Sequence, residues 1–97
     1  MLLELKETSR IKKSFVDGFD CLRYEARVIK KDEEVIITIG QTEKKGLSVY
    51  IDTISSFGKA RRCSYLLEDK GKNNLMERLL RLINKETMAS YREIVFQ

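Results

Sequence analysis

Arginines spaced by alternation are the first chemistry this chain offers. Arg23 and Arg27 lie two positions either side of Glu25, so all three share one face of any strand that holds them. A guanidinium grips phosphate or carboxylate through two parallel N–H donors, and it stacks flat on a base or an aromatic ring. A second basic group follows at Lys59-Ala60-Arg61-Arg62, and Tyr50 offers a stacking surface between the two groups. Arg23, Arg27, Tyr50, Lys59, Arg61 and Arg62 are therefore a candidate nucleic-acid-binding set, the cations on phosphates and Tyr50 against a base. Basic pairs also occur at Lys12-Lys13, Lys30-Lys31 and Lys44-Lys45, and Arg78, Arg81 and Lys85 line up as a helical stripe. Lysines at strand ends equally discourage edge-to-edge aggregation, and a solvated helix face usually carries such a stripe.

A competing set is apolar. Ile36 and Leu66 alternate onto the same face as the arginines, and Tyr91, Ile94 and Phe96 make the tail an apolar arm. An arm of that kind seeks cover. Ile36, Leu66, Tyr91, Ile94 and Phe96 are the candidate partner interface, toward a protein target or a second copy.

Catalytic constellations are missing. The sequence has no histidine, so the commonest general base and the commonest metal ligand are absent. Cys21 and Cys63 form no CxxC pair and build no ordinary zinc site without histidine. Cys63 follows Arg61 and Arg62 but has no base. Gly46, Gly58 and Gly71 are isolated, and Gly58-Lys59 lacks the upstream glycine of a P-loop. Asp17 with Asp20, and Glu33 with Glu34, are paired carboxylates, the second pair in a polar turn. The expectation is a non-enzymatic protein with no cofactor and no metal.

The elements must position these residues within 97 residues, the size of one domain spanning 1–97. Hydrophobic residues at 42% and charged residues at 35% describe a globular chain. Nineteen basic against 15 acidic residues give a net charge of +4, which permits a polyanionic partner without demanding one. No apolar run approaches the roughly 20 residues of a membrane span, and Met1–Lys6 is too short and too charged for a secretory leader. A cytoplasmic protein with no membrane contact is expected. The scarcity of alanine (Ala26, Ala60, Ala89) beside abundant Lys, Ile and Glu points to an AT-rich genome of the phage or mobile-element kind.

Four strands are predicted by alternation: Asp20–Lys30, Glu34–Gly40, Leu47–Thr53 and Cys63–Glu68. In the first, Leu22, Tyr24, Ala26 and Val28 oppose Cys21, Arg23, Glu25 and Arg27. In the third, Ser48, Tyr50 and Asp52 oppose Leu47, Val49 and Ile51. A further strand is expected at Leu2–Thr8, then a loop or short helix in which Ile11, Phe15 and Phe19 recur every four residues. Asn74 predicts a helix start with Glu77 at the capping spacing, and Leu75, Met76, Leu79, Leu80, Leu82 and Ile83 make a wide apolar stripe to about Lys85. The tail from Ser90 is read as a last strand or an extended arm.

The fold class that follows is α+β: an antiparallel meander of four to five strands with one C-terminal helix packed on one face. One helix covers one face, so the other is solvated or meets a partner. Of the two readings, the leading one is a small nucleic-acid-binding protein using the open basic and aromatic face, a mixture that suits single-stranded nucleic acid, and the basic loop. The alternative is a protein-binding regulator or inhibitor using the apolar positions. A homodimer is the expected assembly, since folds of this length often lean on a second copy.

Overall fold

Alternation within the segments between Cys21 and Gln41 and between Leu47 and Leu67, reset at each turn, leaves the chain one economical solution, a sheet with one buried side. The computed structural model describes residues 2–11, 21–41, 46–68 and 74–97. It contains β1 (Leu2–Ile11), β2 (Cys21–Ile29), β3 (Glu33–Gln41), β4 (Leu47–Ser55), β5 (Ala60–Leu67), α1 (Leu75–Thr87) and β6 (Glu93–Phe96). The strands form one sheet in the order β5-β4-β3-β2-β1-β6. Strands β1 to β5 pair antiparallel with their sequence neighbours, and β6 runs parallel to β1. The coarse expectation, α+β with a single C-terminal helix, holds. The sheet itself departs from it: six strands rather than four or five, and mixed rather than purely antiparallel. The tail makes the difference. Ile94 and Phe96 lie opposite Leu3 and Leu5, and that pairing gives the apolar arm cover at the edge of its own sheet.

One face holds the fold. Leu3, Leu5, Ala26, Val35, Ile37, Ile39, Val49 and Ile51 are buried there together with Leu79 and Ile83 of α1. Fully burying an aliphatic side chain contributes about 1.5–3 kcal/mol, so these ten positions dominate the favourable side of folding. Tyr24, Val28, Leu47, Tyr65, Leu67, Leu82, Tyr91 and Ile94 extend the cluster at its margins. Phe96 meets Tyr24 edge-on, with centroids 4.9 Å apart and planes at 75°, the geometry the ring quadrupoles favour.

Local chemistry fixes where α1 begins and ends. Asn74 Oδ1 accepts from the N–H groups of Met76 (2.9 Å) and Glu77 (3.3 Å), satisfying donors that a helix start leaves free. At the far end Met88 adopts the left-handed conformation (φ 55°, ψ 39°), and its N–H donates to the Asn84 carbonyl. Lys30 Nζ donates to the Thr87 carbonyl, placing a cation at the negative end of the helix. Asn84 then holds the return chain: its Nδ2 donates to the Tyr91 carbonyl (3.0 Å) and its Oδ1 accepts from the Tyr91 N–H (2.8 Å). Among the described residues no helix is long and apolar enough to cross a membrane.

Candidate functional site

The face away from α1 is a lattice of side chains set by the strand registers. Four rows cross β2, β3, β4 and β5 in turn. They are Ile29–Glu34–Ile54–Ala60, Arg27–Ile36–Asp52–Arg62, Glu25–Thr38–Tyr50–Ser64 and Arg23–Gly40–Ser48–Leu66. Side chains opposite or diagonal to one another in such a lattice interact directly, and here the contacts are mostly between charges. Arg27 pairs with Glu34 at 3.1 Å and with Glu25 at 3.3 Å. Arg62 donates through Nε to Asp52 Oδ1 at 2.6 Å and through a terminal nitrogen to Oδ2 at 3.1 Å, a two-pronged ion pair. Its guanidinium carbon sits 5.0 Å from the Tyr50 ring centroid, a cation–π placement. The Asp52 hydrogen bond first, then that carboxylate's charge, holds the Arg62 guanidinium above its ordinary pKa.

The structure gathers part of the predicted nucleic-acid set and separates the rest. Arg23, Arg27, Tyr50 and Arg62 share the open face, as alternation implies. Lys59 lies in the β4–β5 turn, where its carbonyl accepts from the Ser55 N–H and its own N–H donates to Ser55 Oγ. Gly58 supplies the positive φ (85°) that turn requires. Arg61 stands opposite Thr53 and alternates to the other side of the sheet. Lys30, one of the basic pair Lys30-Lys31, donates to the Thr87 carbonyl at the end of α1. Arg78 donates to the Glu68 carbonyl, while Arg81 and Lys85 are exposed on the helix. The pairs Lys12-Lys13 and Lys44-Lys45, the carboxylates Asp17 and Asp20, and the recurrence of Phe15 and Phe19 lie outside the described residues.

The predicted partner interface also divides. Ile36 is half-buried near the middle of the open lattice, and Leu66 stands 61% exposed at its corner. Tyr91 and Ile94 pack against this chain's own core, and Phe96 against Tyr24.

Two features of the face escaped the reading of the sequence. One is its charge balance. Glu25, Glu34 and Asp52 stand beside Arg27 and Arg62, so the sixteen lattice positions carry three arginines and three carboxylates. The signal was there for Asp52, which alternates with Tyr50, but only the register reveals that it meets Arg62. The other is an apolar corner: Ile29 (83% exposed) and Ile54 (39%) flank Glu34, and Phe57 (89%) lies in the adjoining turn. Ile29 has the parity of Arg23 and Arg27, which already assigned it outward.

On the covered side, Tyr65 Oη donates to Glu86 Oε1 at 2.6 Å, tying β5 to α1. That bond first, then desolvation, pushes the Tyr65 hydroxyl up to about 12. No family model, curated protein or solved structure matches this chain.

Proposed function

We propose that this is a small non-enzymatic protein-binding module whose target, another protein, docks on the open face around Ile36, Thr38, Tyr50 and Arg62. The observation that carries this reading is the balance of charge on that face. Arg23, Arg27 and Arg62 are matched by Glu25, Glu34 and Asp52, and two of the three arginines are held in ion pairs. A polyanion is attracted by uncompensated cations, whose neutralisation releases counterions. Across β2 to β5 the charges of this face cancel, which removes that driving force there, and the stacking face of Tyr50 already has Arg62 over it. Protein interfaces draw on arginine, tyrosine and aliphatic groups, set among polar groups of both signs. Ion pairs that fix Arg27 and Arg62 in advance also lessen the ordering that binding requires.

The nucleic-acid reading keeps one point in its favour. Arg23 has no described ion-pair partner, and Lys59 and Arg61 are exposed at the far end of the sheet. The test presents the immobilised chain and its Ile36→Lys variant to lysate of the source organism, untreated and nuclease-treated, each at low and high salt. The module reading expects a stoichiometric protein that survives both salt conditions and is lost with Ile36→Lys. Recovery of nucleic acid alone, abolished by nuclease and falling steeply with salt, would establish the other reading.

A further inference from the structure

The edge of the sheet at β5 carries an inference that goes beyond the open-face reading and stands without it. Ser55 N–H donates to the Lys59 carbonyl at 2.8 Å, and the β4–β5 register runs without a shift from Ile54↔Ala60 to Leu47↔Leu67. In an antiparallel ladder, N–H and C=O groups point alternately toward the two neighbouring strands. Odd-numbered residues from Lys59 to Leu67 therefore turn their backbone groups to β4. Ala60, Arg62, Ser64 and Leu66 turn theirs outward, where no strand follows among the described residues.

Such an edge normally carries protection: proline, a bulge, very short length or charge along the strand. This one has eight residues, no bulge and, from Cys63 to Leu67, no charge; the chain contains no proline. The opposite edge, β6, has four residues and starts at Glu93 beside Arg92. Charge also runs along β5 in one direction. Lys59, Arg61 and Arg62 cluster at its start, and Glu68 follows its end. Antiparallel pairing of β5 with itself lays the basic start of each copy along the acidic end of the other.

We infer that a second copy of this chain occupies this edge, β5 against β5 about a two-fold axis through Ser64, joining two sheets into one. In that register Ser64 faces Ser64 of the second copy, and Arg62 faces Leu66. The outward backbone groups of Arg62, Ser64 and Leu66 all find partners. Leu66 covers the aliphatic stem of the opposing Arg62, and Glu68 lies diagonal to that same arginine. The two Arg62 residues stay about 13 Å apart along the strand, at roughly 3.3 Å per residue. Centring on Cys63 instead would put them diagonal to each other, so repulsion disfavours it. Centring on Tyr65 would leave Ala60 and Arg61 beyond the paired segment.

Sedimentation of the full chain tests this, with circular dichroism to monitor the fold. The wild type is expected at twice 11.4 kDa at high micromolar concentration. Ser64→Pro removes an N–H that β4 does not use and is expected to sediment as a monomer with an unchanged spectrum. Leu66→Lys, a milder change should proline unfold the chain, is expected to weaken self-association by about tenfold or more. A Ser64→Cys variant lacking Cys21 and Cys63 is expected to form an interchain disulfide faster than Cys63 does in the wild type. A monomeric wild type, a dimer indifferent to both edge variants, or faster cross-linking through Cys63 would each overturn the inference. None of these readouts involves a target on the open face, so the two proposals fail separately.

Discussion

Ile36 and Ile37 are neighbours in β3, yet they belong to different parts of the molecule. Ile37 is removed from water among Val35, Ile39, Ile51, Leu79 and Ile83, while Ile36 stays half-exposed between Arg27 and Asp52. The same contrast holds at β4, where Val49 and Ile51 are buried and Tyr50 and Asp52 carry contacts on the open face. A strand turns successive side chains to opposite faces, so one short stretch serves both purposes. Stability lives on one parity, and the proposed recognition uses the other, so each is open to change without the other.

Substitutions can break that contrast. The largest effect is expected from Ile37→Ala, a loss of about 2–5 kcal/mol of stability in chemical denaturation, because the helix seated above limits collapse of the cavity. Ile36→Ala is expected to lose less than about 1 kcal/mol. Similar losses at the two positions would erase the distinction between the faces. Next comes Asn84→Ala, which leaves the N–H and C=O of Tyr91 without their side-chain partner and is expected to lose about 1–3 kcal/mol. Hydrogen exchange in β6 should rise in that variant; unchanged protection there would show that β6 is held by its pairing with β1 alone. Asn74→Ala is expected to lose about 1 kcal/mol through the two unmet N–H groups of the first turn.

The smallest effect is a pH dependence. The fold raises the Tyr65 hydroxyl from its ordinary 10 to about 12, chiefly through Glu86. The folded chain therefore holds that proton more tightly than the unfolded chain. The resulting stabilisation is full below pH 10 and is lost as pH rises from 10 through 12. Tyr65→Phe should flatten stability across that window, and an equal slope in both proteins would assign the loss to other groups.

Much of this arrangement was legible in the residues. Alternation around Ala26 assigned Tyr24 and Val28 inward and Arg23 and Arg27 outward, because a half-buried strand tolerates no other order. Asn74 announced the helix start, since few side chains reach back to free N–H groups. Strand β6 was harder to read. Four residues give too short a period, and a parallel pairing with the far end of the chain leaves no turn signal. The start of β5 lies in the connection Ile54–Arg62, where Gly58 and the basic group Lys59-Ala60-Arg61-Arg62 show no strand pattern, yet an edge strand accommodates charge on both faces. The balance of the open face was the least legible feature. Arg62 and Asp52 are ten residues apart, and only the hairpin register brings them together.

The most direct test of the open-face account maps a captured partner onto the chain by backbone amide chemical shifts. The account predicts that resonances of Ile36, Thr38, Tyr50 and Arg62 move on titration while those of Arg81 and Lys85 on α1 stay still. Movement confined to α1 or to Lys59 and Arg61, with the open face silent, would contradict it.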